Sequence, residues 1–146
     1  ERLGNVDLEK AALWDEETTL EFYSEGADSG RVGKIPIDAT VIKIPTQRLR
    51  TYLGREVDFL KIDIEGAELK VLKDCEKELK NVKNLFIEYH SFAGEKQELS
   101  HLIKILEESG FRYHINSPGI SSSRPFVELK TYNNMDMQLN IYAFKP

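Results

Sequence analysis

The spacing of apolar residues changes along the chain, and the changes predict its elements. Asp58-Phe59-Leu60-Lys61-Ile62-Asp63-Ile64-Glu65-Gly66-Ala67-Glu68 is an apolar run that ends in carboxylates and a glycine, with a helical pattern straight after it. A buried parallel strand hands polar side chains to the carboxyl edge of a sheet in this way. Read with period two from 57 to 63, Lys61, Asp63 and Glu65 share one face, and Leu60, Ile62 and Ile64 the other. A helix is expected from about Ala67 to Lys80, with Ala67, Val71, Leu72, Cys75 and Leu79 as its inward stripe. Asn84-Leu85-Phe86-Ile87-Glu88-Tyr89-His90 repeats the design of an apolar run followed by polar groups. Leu99, Leu102, Ile103 and Leu106 mark a second amphipathic helix from Glu95 to Ser109, stopped by Gly110. Strands are expected at 111–115 and 138–144, joined by a polar loop with an edge strand near 126–129.

The first third of the chain is less regular. Val6 to Leu13 and Thr19 to Tyr23 alternate, and the polar turn Asp15-Glu16-Glu17-Thr18 between them suggests a hairpin or meander. The loop from Gly26 to Gly33 holds three glycines, but a proline-bounded β-like run, Ile35 to Pro45, follows it. A phosphate-binding loop needs a helix N-terminus there instead, so the stretch reads as an ordinary loop. Thr46 is placed to cap a short helix from Gln47 to Leu53, with Leu49 and Leu53 inward and Gly54 as its stop. From residue 57 the order is strand, helix, strand, helix, strand, strand. The crossover units place their strands parallel, and the last two strands pair antiparallel.

Composition narrows the class. The chain has 146 residues, 40% of them hydrophobic, which suits one domain with a real core. A net charge of −5 and no basic patch argue against a general nucleic-acid surface. No apolar run reaches the roughly 20 residues of a membrane span. The single cysteine, Cys75, rules out an internal disulfide and points to a reducing, cytoplasmic setting.

If the strands ending at Asp63 and His90 are neighbours about 4.8 Å apart, Asp63, Glu65, Glu88 and His90 converge at one sheet edge. Such a group can act as a general base, orient a hydroxyl substrate, or hold a divalent metal through oxygen ligands. Lys61 inside an apolar strand needs a partner, and Asp63 is the nearest. Glu68 is read as structural, serving the free amides of a helix start. His101 and His114 have no partner visible in sequence, and Trp14, Tyr89 and Cys75 read as packing residues.

The segments "VDFLKIDIEGAELKVLKD" and "NLFIEYH" strongly resemble the FkbM family of S-adenosylmethionine-dependent methyltransferases. "NVDLEKAALWDEETTLEFY" is similar to the same family's third strand and following hairpin, and Thr46-Gln47-Arg48-Leu49 stands where its threonine–x–x–leucine stretch lies, with Arg50 in place of an aspartate. The resemblance covers most of the chain and weakens after about residue 115. It implies a partial Rossmann-like α/β methyltransferase fold. The full sheet runs 3-2-1-4-5-7-6 and is mostly parallel, with an antiparallel C-terminal strand. The first two strands, which carry the glycine-rich cofactor loop and the ribose-binding acid, have no counterpart in this sequence. The 146 residues are thus expected to form a single truncated domain that binds the cofactor poorly alone. The fourth strand is expected to be an exposed edge that pairs with something, such as the chain's own hairpin or another copy, or that depends on the missing residues.

By resemblance the chain is the C-terminal portion of an O-methyltransferase acting on a hydroxyl of a sugar or secondary metabolite. Asp63 and Glu65 would lie near the transferring methyl, with Glu88 and His90 on the acceptor side. Asp63, Ala12 and Leu13 are the expected cofactor contacts, the last two for adenine. Two other classes are weighed against this. One is a non-catalytic, degenerate binding module. The other is a fragment of a glycoside hydrolase, whose strand-end acids Asp58, Asp63 and Glu65 faintly resemble; a barrel of that type needs eight repeats and about 250 residues.

Overall fold

A computed structural model of the chain describes residues 4–24, 30–31, 40–119 and 122–146. The expected glycine loop lies outside these residues except for Gly30 and Arg31, as does the 35–39 part of the strand expected after it. The described elements run β1 (Ala12–Trp14), β2 (Thr19–Ser24), β3 (Gly30–Arg31), β4 (Thr40–Arg48), β5 (Val57–Ile62), α1 (Glu68–Cys75), β6 (Val82–Phe92), α2 (Leu99–Glu108), β7 (Arg112–Asn116) and β8 (Met135–Phe144). They form two four-stranded sheets, ordered β1-β4-β2-β3 and β5-β6-β8-β7, in a mixed α/β arrangement.

The second sheet follows the periodicity. β5 and β6 are parallel neighbours, joined by α1. β8 pairs antiparallel with both β6 and β7, so the chain's final strand lies inside the sheet. Its entry is a tight turn, Tyr132 to Met135, in which Asn133 and Asn134 have φ of 48° and 63°. Asparagine tolerates that left-handed backbone better than most residues. α1 and α2 pack on one sheet face, where Val71, Leu72, Cys75, Leu79, Leu102 and Leu106 meet Ile62, Leu85, Ile87 and Ile141 with no exposure above 2%. At roughly 25 cal/mol per Å² of apolar area, a core of this kind is the main stabilising contribution of the fold. The opposite face carries Phe59, Lys61, Phe86, Tyr142 and Phe144, of which only Phe86 is partly buried and the rest are exposed.

Helix ends follow local chemistry. α2 closes with a Schellman arrangement: the Phe111 amide donates to the Leu106 carbonyl at 2.9 Å, and that of Gly110, at φ 81°, donates to the Glu107 carbonyl at 3.0 Å. The helix expected over 67–80 is shorter. It stops at Cys75 and resumes as a 3-10 turn over Glu78–Asn81, where Lys145 Nζ donates to the Leu79 carbonyl at 2.6 Å. The buried stripe is nonetheless the expected one.

Three expectations fail in whole or in part in the first half of the chain. Thr46 does not cap a helix; it lies in β4, 5% exposed, and its hydroxyl accepts from the Thr18 amide at 2.6 Å and donates to the Glu16 carbonyl at 2.7 Å. That hydroxyl fills the turn between β1 and β2, so extended backbone continues to Arg48 and only Leu49–Thr51 winds into a 3-10 turn. The expected burial of Leu49 and Leu53 holds all the same. β1 and β2 do not form a hairpin, because β4 lies between them, parallel to β1 and antiparallel to β2. β5 is the exposed edge expected: its free side pairs with no described strand, and of the partners expected for it the chain's own hairpin is excluded, since those strands belong to the other sheet.

A fourth difference lies near the C-terminus. No edge strand forms over residues 126–129; the chain turns over 125–127, with the Val127 and Glu128 amides both donating to the Arg124 carbonyl at 2.9 Å. Pro125 cannot donate to a ladder, and Phe126 points fully into solvent.

Candidate active site

The carboxyl ends of β5 and β6 carry the polar groups. Past Ile62 the chain leaves the sheet through Asp63 and turns at Glu65 and Gly66, whose φ angles are 52° and 99°. The turn is tight because Phe92, at the end of β6, lies against it: a Cβ on Gly66 would sit 2.8 Å from Phe92 Cε2. Glycine is therefore required at 66 on both conformational and packing grounds.

Glu68, the first residue of α1, holds this turn together. Its side chain is 1% exposed, and its Oε1 accepts from the Gly66 amide at 2.9 Å and the Ile64 amide at 3.3 Å. The same oxygen lies 3.0 Å from Nδ1 of His90, whose side chain is 2% exposed. The helix start is thus tied to the end of the neighbouring strand. Burial pulls the His90 imidazole towards its neutral form, but the hydrogen bond its Nδ1 donates to Glu68 and the charges of Glu68, Glu65 and Glu88 outweigh it, so its pKa is raised.

The sheet edge gathers Asp63, Glu65 and His90, with one ligand atom of each within 4.8 Å of the others. Lys61 Nζ lies 3.0 Å from Asp63 Oδ2, the partner expected for a lysine on that strand. That hydrogen bond and the Asp63 charge raise the lysine's pKa. Glu88 stands on the same face of β6; its Oε1 is 3.7 Å from His90 Nε2 and accepts from Gln138 Nε2 of β8. Asp63, Glu65, Glu88 and His90 thus lie together, whereas His101 and His114 are exposed elsewhere.

Ala12 and Leu13 lie apart from this cluster, half-buried in β1 beside Thr46 and Gln47 of β4, and Leu13 packs against the core. β1 is tied to α1, where Lys70 Nζ lies 4.6 Å above the Trp14 ring and 3.4 Å from Asp15 Oδ2. Arg48 of β4 and Asp74 of α1 form a second tie of the same kind.

Sequence reasoning undervalued three residues. Glu68 is the shared acceptor of the turn and the histidine, more than a helix-start charge. Its signal was a carboxylate one helical step beyond a glycine turn, beside a neighbouring strand that ends in histidine. Phe92 stacks on His90 at 6.5 Å between ring centroids and closes over Gly66. Gln138 orients Glu88, and only the antiparallel register of β6 and β8, which sets His90 opposite Gln138, reveals it.

A family model described as the methyltransferase FkbM domain matches residues 4–113, which include the whole strand-end cluster. No curated protein and no solved structure matches the chain. With the match running from before β1 to the start of β7 and including the acidic turn after β5, the chain belongs to the FkbM methyltransferase family.

Proposed function

We propose that the chain supplies the acceptor side of an S-adenosylmethionine-dependent O-methyltransferase that modifies a hydroxyl of a sugar or secondary metabolite. The observation that carries the reading is the convergence of Asp63, Glu65 and His90 within 4.8 Å at the carboxyl edge of β5 and β6. The order β5-β6-β8-β7, with β8 antiparallel, supports a Rossmann-like methyltransferase sheet, in which ligands lie at that edge.

The donor set suits the cofactor's reactive end, because carboxylates face a sulfonium cation favourably. S-adenosylmethionine supplies, when bound, a methyl group on positively charged sulfur. Everything else falls to the chain's own residues. Glu65, half-buried on a fixed turn, takes the proton of the acceptor hydroxyl. Asp63, neutralised in part by Lys61, anchors the hydroxyl and lies towards the cofactor. His90, held by Glu68, and Glu88, held by Gln138, line the acceptor side with polar groups of fixed orientation. Ala12 and Leu13 are assigned to the adenine side.

The test is transfer of labelled methyl from S-adenosylmethionine to a panel of sugar and secondary-metabolite hydroxyls by the protein that carries this chain. Glu65→Gln is expected to lower kcat by about 10²- to 10⁴-fold, the usual contribution of a positioned base. Asp63→Asn is expected to raise KM for the acceptor more than it lowers kcat. Parental rates in both variants would sink the assignment.

A further inference from the structure

We infer that Asp63, Glu65 and His90 form a binding site for a first-row divalent transition metal of the Zn²⁺ or Mn²⁺ class. The donors come from separate places: the end of β5, the turn after it and the end of β6. They nonetheless bring one atom each within 4.8 Å of the others. An ion with bonds of about 2.1 Å in tetrahedral geometry separates its ligand atoms by about 3.4 Å. Rotation of the two carboxylates closes that difference, because the Asp63 side chain is 32% exposed and Glu65 is half-buried.

The histidine supplies an independent observation. Its side chain is 2% exposed, its Nδ1 is engaged by Glu68, and its Nε2 makes no hydrogen bond among the described residues. The Glu88 oxygen 3.7 Å away is beyond hydrogen-bonding distance and is already held by Gln138. A buried imidazole with one nitrogen fixed on a carboxylate, grouped with two further carboxylates within 4.8 Å, is the arrangement that orients histidine ligands. Glu68, which also accepts two backbone amides, fixes the ring for this purpose. One nitrogen and two oxygen donors favour Zn²⁺ or Mn²⁺ over Mg²⁺ and Ca²⁺, which take oxygen ligands. Three protein ligands leave a coordination position open to a small oxygen ligand. Lys61, paired with Asp63 at 3.0 Å, competes for that carboxylate and is displaced when the ion binds.

Calorimetric titration with Zn²⁺, and separately with Mn²⁺, tests the site in a His101→Ala/His114→Ala background, which removes the exposed imidazoles. One equivalent is expected to bind with micromolar affinity. Asp63→Asn and Glu65→Gln, both at the surface, should each weaken binding by roughly 10- to 100-fold or more. Mn²⁺ should broaden amide resonances of residues 63–66 and 88–91 selectively. The inference is overturned if neither ion binds saturably, if both carboxamide variants bind like the parent, or if Mg²⁺ competes equally with Zn²⁺. Binding does not depend on methyl transfer: a chain that holds the ion but transfers no methyl group keeps the site and loses the proposed function.

Discussion

One oxygen of Glu68 accepts two backbone amides and faces the His90 imidazole, so the acidic turn, α1 and β6 share a single buried atom. Removing a partner from a buried network strands the rest, which makes such an atom worth more to local order than its neighbours on the surface. Gly66 tests how tightly the turn is built. An alanine there must adopt φ 99° and push its Cβ against Phe92, whose ring is buried and stacked on His90. Gly66→Ala is expected to cost about 2 kcal/mol in urea denaturation, from backbone strain and overpacking together. Phe92→Leu should recover part of that loss in the double variant. A Gly66→Ala chain as stable as its parent would show that the turn has slack.

At the scale of elements, α1 illustrates both what the sequence disclosed and what it withheld. Its stripe of Val71, Leu72, Cys75 and Leu79 was legible because helical spacing of apolar residues leaves few alternatives. Its break after Cys75 was not; the 3-10 turn that follows it carries Leu79, whose carbonyl accepts from Lys145 at the far end of the chain. Thr46 misled as well: a threonine before a polar–apolar run fits a cap, and only tertiary contact with residues 16–18 turns it into a strand residue. The strand-end cluster was readable because polar groups follow an apolar run at the ends of two adjacent strands; period two holds for Glu88 and His90, whereas Asp63 and Glu65 lie past Ile62, where the chain turns. The histidine's carboxylate partner lies in a helix, so strand periodicity missed it. Cys75 gives α1 a measurable signature. Burial above all, with the nearby charges of Asp74 and Glu78, pushes its thiol up from 9.0 to about 12. The contribution to stability is whole below the ordinary thiol value, where neither state ionises. It falls as pH rises between 9.0 and about 12, where the unfolded chain forms thiolate and the folded chain does not. Urea midpoints measured on either side of the ordinary thiol value should show this loss in the parent and a smaller one in Cys75→Ala. Equal losses in the two would place the pH sensitivity elsewhere.

At the scale of the whole molecule, the helices described cover one face of the β5-β6-β8-β7 sheet, while Phe59, Tyr142 and Phe144 remain in solvent on the other. Parallel strands in α/β proteins are ordinarily covered on both faces, and an aromatic patch beside the outer edge of β5, which pairs with no described strand, invites contact. The native chain is expected to bind an apolar dye and to associate with rising concentration in light-scattering measurements. Phe59→Lys/Phe144→Lys should reduce both, and an unchanged response would assign the stickiness to another surface. No helix among the described residues is long and apolar enough to cross a membrane. The position of β8 reaches beyond packing. β6 is synthesised some forty residues before the strand that takes its second edge, since Val82–Phe92 pairs along its length with Met135–Phe144. During translation β6 and β7 therefore wait as open edges, and the sheet closes only when the final strand slides between them. Insertion of a late central strand makes the contacts non-local, which slows folding and leaves the nascent chain dependent on protection while it waits.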